Sequence, residues 1–212
     1  MKHFKNFKTC VYCTAQTLAS LDETTLARDY AYLEKYVGID KVYLETYRDG
    51  TWVAIDHMKM IQNFFKEHGV EIAGGITAVT PPLEKDDAKR QRLFQTFCYS
   101  NETMRTYLKK IVTYTAELFD EIILDDFFFT SCTCDDCLRE RSNLSWAEFR
   151  SNKMIDVAEN LVLKPAKLAN PSVKVTIKYP NWRESYHETG YVPKIQPSMF
   201  DKIYIGTETR NT

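Results

Sequence analysis

The sequence predicts an α/β chain folded as a TIM-type (β/α) barrel, incomplete, with six βα units. Three observations carry that prediction. Short apolar strands alternate with amphipathic helices from the first residues to the last, the pattern of a parallel sheet with crossover helices. Three strand starts echo one another, Asp40-Lys41-Val42-Tyr43-Leu44, Asp120-Glu121-Ile122-Ile123-Leu124 and Asp201-Lys202-Ile203-Tyr204-Ile205, at intervals of 80 and 81 residues, or two βα units each time. Within the strands one parity is apolar (Val42, Leu44; Ile122, Leu124; Val173, Val175, Ile177; Ile203, Ile205) and the other largely polar (Lys41, Glu45; Glu121, Asp125; Lys174, Thr176, Lys178; Glu208). A doubly wound sheet is apolar on both faces, whereas a barrel that takes polar ligands can be polar inside.

Taken in order, residues 8–14 read as a first strand. Ser20-x-x-Glu23 reads as a capping box that opens a helix with Leu26, Tyr30, Leu33 and Val37 on one face, ended at Gly38. A second strand covers 41–46 and closes on the polar turn Arg48-Asp49-Gly50. The stripe Met58, Ile61, Phe65 makes 55–68 helical, with Gly69 at the C-cap position. The third strand, 70–77, contains Gly74-Gly75, and a long loop follows with Pro81-Pro82 and a charged run through Arg92, too long for a mere connector. Met104, Leu108, Ile111, Thr115 and Leu118 define the next helix, and the fourth strand, centred on 122–124, ends in Asp125-Asp126. Ser145-x-x-Glu148 caps a long helix reaching Leu161 or beyond. Strand five, 173–178, ends in Tyr179-Pro180-Asn181-Trp182, and strand six covers 202–207. Closure needs eight strands. The expectation is therefore a fragment of a longer chain, an open six-stranded arc, or a homo-oligomer whose second copy covers the gap.

At 212 residues the chain can bury one substantial core, and no linker divides it, so 1–212 is read as a single domain. Its 28 basic and 29 acidic residues form no basic run, which argues against nucleic acid or an anionic membrane as partner. No apolar h-region follows the basic N-terminus and no stretch is long enough to span a bilayer, so the expected location is cytoplasmic.

Acids at the C-terminal end of a parallel strand stand where ligands bind. Asp125, with Asp126 as its rival, and Glu208 have lumen-facing positions two strands apart, an arrangement that sets two carboxylates across a glycosidic bond. Glu45 and Arg48 are expected to position substrate. Lys178 offers hydrogen bonds to sugar hydroxyls, and Tyr179 and Trp182 offer rings that stack on sugar faces. Cys132-x-Cys134-x2-Cys137 places three thiols in six positions, a spacing that suits one metal ion better than separate bridges. Cys98, at the end of the neighbouring loop, is the best fourth ligand for a structural zinc. Free thiols or a disulfide remain the alternatives. Cys10 and Cys13 are expected as buried thiols, and Trp146 as core.

Cys98 with Cys132, Cys134 and Cys137, directly after an acidic strand end, resembles the zinc-bound cysteine cluster of glycoside hydrolase family 42 β-galactosidases. DDFFFTSCTCDDC followed by SWAEFR (Ser145 to Arg150) is similar to glycoside-hydrolase-like barrels more generally. The likeness covers strands three to six and implies a TIM barrel, zinc and a carbohydrate ligand. The family's Asn-Glu acid/base motif is replaced here by Asp125-Asp126, and its nucleophile belongs to a seventh strand. An acid pair on strands four and six is closer to α-galactosidase-like barrels. Together these readings predict a glycoside hydrolase, with a non-catalytic carbohydrate-binding barrel as the alternative.

Overall fold

The computed structural model describes residues 4–79 and 92–206. Six parallel strands, β1 (Cys10–Cys13), β2 (Lys41–Arg48), β4 (Glu71–Ile76), β5 (Glu121–Leu124), β6 (Lys174–Tyr179) and β7 (Lys202–Ile205), pair strictly in chain order. A two-residue strand, β3 (Thr51–Trp52), folds back antiparallel on β2 after the Asp49-Gly50 turn. A doubly wound sheet would reverse its strand order partway. This one never does, so every crossover advances in the same direction and the sheet curls as a half-barrel. Among the described residues β1 and β7 do not pair with each other.

The expected parity is present. Val42, Leu44, Ile122, Leu124, Val175 and Ile177 are buried on the helix side with Met58, Ile61, Leu108, Ile111 and Leu161, removing from water the apolar surface that drives folding. Ile203 and Ile205 share that parity but are 46% and 68% exposed, since no described helix follows β7 to cover them. On the concave side, Lys41 pairs with Glu121 at 2.6 Å and Glu121 with Lys202 at 2.5 Å. Both pairs skip a strand, and they join the three echoed strand starts across the N-terminal mouth.

The helices are α1 (Ala15–Ser20), α2 (Glu23–Tyr36), α3 (Ile55–Glu67), α4 (Glu102–Leu118), α5 (Asp135–Arg141), α6 (Trp146–Val157), α7 (Lys164–Ala169), α8 (Tyr186–Thr189) and α9 (Gln196–Met199). Ser145 caps α6 with Glu148 in a reciprocal box, as the sequence predicts. The cap on α2 differs from expectation. Thr14 caps a separate short helix that ends at Ser20, and Asp22 takes over, accepting the Thr25 N–H at 2.7 Å. A π-helical stretch, 158–163, joins α6 to α7, where Pro165 has no N–H to continue an α register. Cys10 is exposed and Cys13 half-buried, because β1 is an edge strand with one neighbour. Trp146 is likewise half-buried rather than core, held between the guanidinium groups of Arg141 and Arg150.

Glycines 74 and 75 set the depth of the barrel. A Cβ on Gly74 would stand 2.6 Å from Thr115 Cγ2, and one on Gly75 would stand 2.6 Å from the Tyr12 hydroxyl. One absent side chain lets α4 lie against β4, and the other lets Tyr12 reach across the concave face.

Candidate active site

A β-bulge builds the site. Glu45 pairs with Gly75 and Tyr47 with Ile76, leaving Thr46 as the extra residue of β2. In a regular strand Glu45 and Arg48, three apart, face opposite sides. The extra residue restores them to one side. Thr46 is fixed by its hydroxyl against Gly75 O at 3.2 Å and Thr115 Oγ1 at 2.6 Å. Tyr47 then turns into the core against Trp52, Phe97 and Tyr107, and Arg48 turns into the lumen.

There Arg48 Nε donates to both Glu45 oxygens at 3.0 and 2.9 Å, while its Nη2 donates to Thr77 Oγ1 and to Asp125 Oδ2, each at 2.9 Å. Glu45 is fully buried and also accepts from the Tyr12 hydroxyl (2.8 Å), the Ala15 N–H (2.7 Å) and Thr77. Asp125 is set by the sheet, its N–H donating to Ile76 O at 3.0 Å. Lys178, from the end of β6, lies 3.1 Å from Asp125 Oδ1 and 3.4 Å from Asp126 Oδ2. Thus Glu45, Arg48, Asp125, Asp126 and Lys178, all read from the sequence, converge at the C-terminal rim.

Electrostatics follow from that packing. Burial works to raise the Asp125 pKa, yet the Lys178 ammonium and the Asp126 backbone N–H outweigh it and hold the carboxyl below its usual value. Burial works against the Arg48 charge, but Glu45 and Asp125 more than offset it, so the guanidinium stays protonated. Burial, reinforced by Glu45 and Asp125, pushes the Tyr12 phenol well up and keeps it a neutral donor. Among the described residues three carboxylates (Glu45, Asp125, Asp126) face two cations (Arg48, Lys178), formally one negative charge in excess.

Tyr12 and Thr77 complete this network without having been singled out in the sequence. Tyr12 pairs with Tyr43 in the sheet and so shares the polar parity, which was the available signal. Thr77, the last residue of the predicted third strand, lies two past Gly75, the partner of Glu45, and carries the same parity. Tyr179 departs from expectation. It follows Lys178 on the strand, so its ring points to the helix side, where it is buried and bonds Gln196 at 3.3 Å. It therefore presents no stacking face to the lumen. Trp182 is half-buried at the rim, edge-on to Phe129 at 5.2 Å and beside Tyr191. Glu208 and the segment from Pro81-Pro82 to Lys89 lie outside the described residues.

The four sulfurs meet. Cys98, Cys132, Cys134 and Cys137 are buried, with all Sγ atoms within 4.8 Å of one another. Cys98 stands 3.6 Å from both Cys134 and Cys137, and Cys134 and Cys137 are 3.7 Å apart. Those separations are far beyond a disulfide bond. They match the edge of about 3.8 Å that a tetrahedron of ~2.3 Å metal–sulfur bonds requires, so the cluster can hold one metal ion. Hydrogen bonds from Cys137 and Cys98 lower the Cys132 thiol, while those with Cys132 and Cys137, with burial, raise Cys98. The cysteine loop is bound to both neighbours, for the Leu93 N–H donates to Ser131 Oγ at 2.8 Å and the Thr130 N–H to Thr189 O at 3.1 Å.

Comparison with known proteins agrees with this architecture. The β-galactosidase of Rahnella sp. R3 superposes with a TM-score of 0.68 at 11% identity, over 96% of this chain and 40% of that one. The β-galactosidase of the psychrophile Marinomonas ef1 does so with a TM-score of 0.57 at 13% identity, over 83% of this chain and 38% of that one. At such identities the likeness is one of fold, that of glycosidase barrels. The chain belongs to the family described as "Probable glycosyl hydrolase, catalytic domain", whose profile matches residues 1–212. An uncharacterized protein of Saccharolobus solfataricus is 34% identical over 230 residues, covering 97% of this chain. The chain spans 38% of that relative's length. Among the described residues no helix is long and apolar enough to cross a membrane.

Proposed function

We propose that the chain carries the catalytic rim of a glycoside hydrolase acting on a carbohydrate. The observation that carries this reading is Asp125 at the end of β5, held ionised by Lys178 and the Asp126 backbone N–H and paired with Arg48. An ionised carboxylate there supplies the nucleophile, or the base that activates water, and its charge stabilises an oxocarbenium-like transition state. The bond from the anomeric carbon to the leaving oxygen breaks as the new bond forms, and the leaving oxygen must receive a proton. Glu208 is the proposed donor, from its place three residues beyond β7 in the sequence. Asp126 is the alternative carboxylate beside Asp125. Glu45 acts by fixing Arg48, and Lys178 exchanges part of its bonding to Asp125 and Asp126 for sugar hydroxyls. Trp182 offers an aromatic edge at the rim. A carboxyl separation of about 5–5.5 Å in the complete site gives retention and roughly 6.5–9.5 Å gives inversion.

Zinc is the metal proposed for the cysteine cluster. Cys98, Cys132, Cys134 and Cys137 would hold it with sulfur alone, so it would brace the loop after β5 rather than activate water. A reducing, cytoplasmic setting suits four thiolates. The interaction partner proposed is carbohydrate alone, with neither nucleic acid nor membrane.

A second reading, carbohydrate binding without turnover, is favoured by one observation: Glu45 and Asp125 are already committed to cations and donors. A panel of 4-nitrophenyl glycosides separates the two. Turnover of at least one, lost in Glu208→Gln, supports hydrolysis; glycoside binding with no nitrophenol release supports the binding reading.

A further inference from the structure

A recess lies among the segment before α4, the loop after β5 and the loop after β6. Leu93, Phe94, Ser131, Arg150, Trp182 and Glu188 line a cavity of about 340 Å³, within the roughly 300–1,000 Å³ of small-molecule sites. Its walls come from these three segments. The bonds from Leu93 to Ser131 and from Thr130 to Thr189 tie these together. Arg150 closes the floor, donating from Nη1 to Glu188 O at 2.7 Å and from Nη2 to Ser131 O at 3.1 Å.

Phe94 breaks two local rules at once. It and Gln95 both sit in the left-handed region, with φ of 51° and 54°, where non-glycine residues are strained. The ring that this places at the cavity mouth is 58% exposed, a bulky apolar group left in water. Phe94 stands edge-on to Phe127 at 5.2 Å and to the buried Phe129 at 6.4 Å, and Phe127 in turn lies under the Arg48 guanidinium at 5.8 Å. A file of two aromatic rings therefore links the recess to Arg48, the partner of Asp125.

We propose that this recess is a second sugar subsite, so that the ligand is a neutral oligosaccharide laid from the Asp125 cluster toward the cysteine loop. The chemistry selects that class. Phe94 and Trp182 give aromatic surface to a sugar's C–H face, while among the described lining residues one cation, Arg150, and one anion, Glu188, balance each other and favour an uncharged polyol over an anion. Aromatic rings beside a few fixed polar groups bind such ligands. The proposal rests on the carbohydrate reading above but not on turnover.

Calorimetric titration of the full chain tests it, with galactotriose, cellotriose, mannotriose and xylotriose, all β-1,4-linked, as probes and the four monosaccharides as controls. At least one trisaccharide is expected to bind at least about tenfold tighter than its monosaccharide, because two sites are engaged. Phe94→Ala, Trp182→Ala and Glu188→Gln are each expected to weaken that trisaccharide about fivefold or more. Phe94 and Glu188 are exposed, so those two variants keep their thermal unfolding profile even if Trp182→Ala does not. Equal affinity for trisaccharide and monosaccharide, no binding by any trisaccharide, or binding indifferent to Phe94→Ala and Glu188→Gln overturns the subsite. Binding without hydrolysis counts against the hydrolase reading and leaves the subsite standing.

Discussion

Arg48 Nη2 lies 2.9 Å from Asp125 Oδ2, an ion pair that passes from β2 to β5 over the strand between them. It exists because Thr46 bulges out of register and turns Arg48 inward beside Glu45. Removing one partner of a buried pair strands the other charge. Arg48→Met is accordingly expected to cost about 3 kcal/mol in denaturant unfolding. Arg48→Lys should recover less than half of it, since an ammonium cannot reach Glu45, Thr77 and Asp125 together as the planar fork does.

Gly75→Ala should destabilise the fold through Tyr12, whose hydroxyl a Cβ would meet at 2.6 Å. Tyr12→Phe alone gives up the bond to Glu45, worth about 1.5–3 kcal/mol for a charged acceptor. The double variant is expected to be more stable than the sum of the two losses implies, by about 1 kcal/mol. Additive losses in thermal unfolding would mean that the two groups do not compete for that space.

Purified protein should carry close to one equivalent of zinc by elemental analysis. Cys132→Ser is expected to release it and to lower Tm by about 6–12 °C, the equivalent of roughly 3 kcal/mol for a chain of this size. Less than half an equivalent in the wild-type protein, or an unchanged Tm in the variant, would count against the metal.

Acid stability offers a check on the site's charge. The Asp125 carboxyl is depressed in the folded protein, burial being outweighed by Lys178 and the Asp126 N–H. A depressed carboxyl contributes stability above its unfolded value of about 3.9, and that contribution disappears as pH falls through the lower folded value. The gap in Tm between wild type and Asp125→Asn should hold from pH 7 to 5 and narrow below about pH 4. A gap that widens on acidification would give Asp125 the opposite shift.

Strand order, the polar parity and the four cysteines were legible in the sequence because each is a local pattern. Periods of two and 3.6 mark the elements, and thiols repeated at short spacing mark a common site. What escaped were consequences of register and contact. The Thr46 bulge puts Glu45 and Arg48 on one face, against the simple alternation. Tyr12 and Thr77 became visible only once β1, β2 and β4 were side by side. The alternation that placed Lys178 inward also placed Tyr179 outward, which the aromatic run after β6 obscured. Asp22 displaced Ser20 as the cap of α2 because Thr14 had already opened a shorter helix. Ile203 and Ile205 have apolar parity but no described helix over them, so pattern predicted their face and not their burial.

The central claim is that the Asp125 carboxylate does the chemistry at this rim, and kcat is its most direct measure. On the best 4-nitrophenyl glycoside of the panel, Asp125→Asn, shown by circular dichroism to be folded, is predicted to lose at least about 10³-fold in kcat, roughly 4 kcal/mol of transition-state stabilisation. Activity within about tenfold of wild type would contradict the assignment.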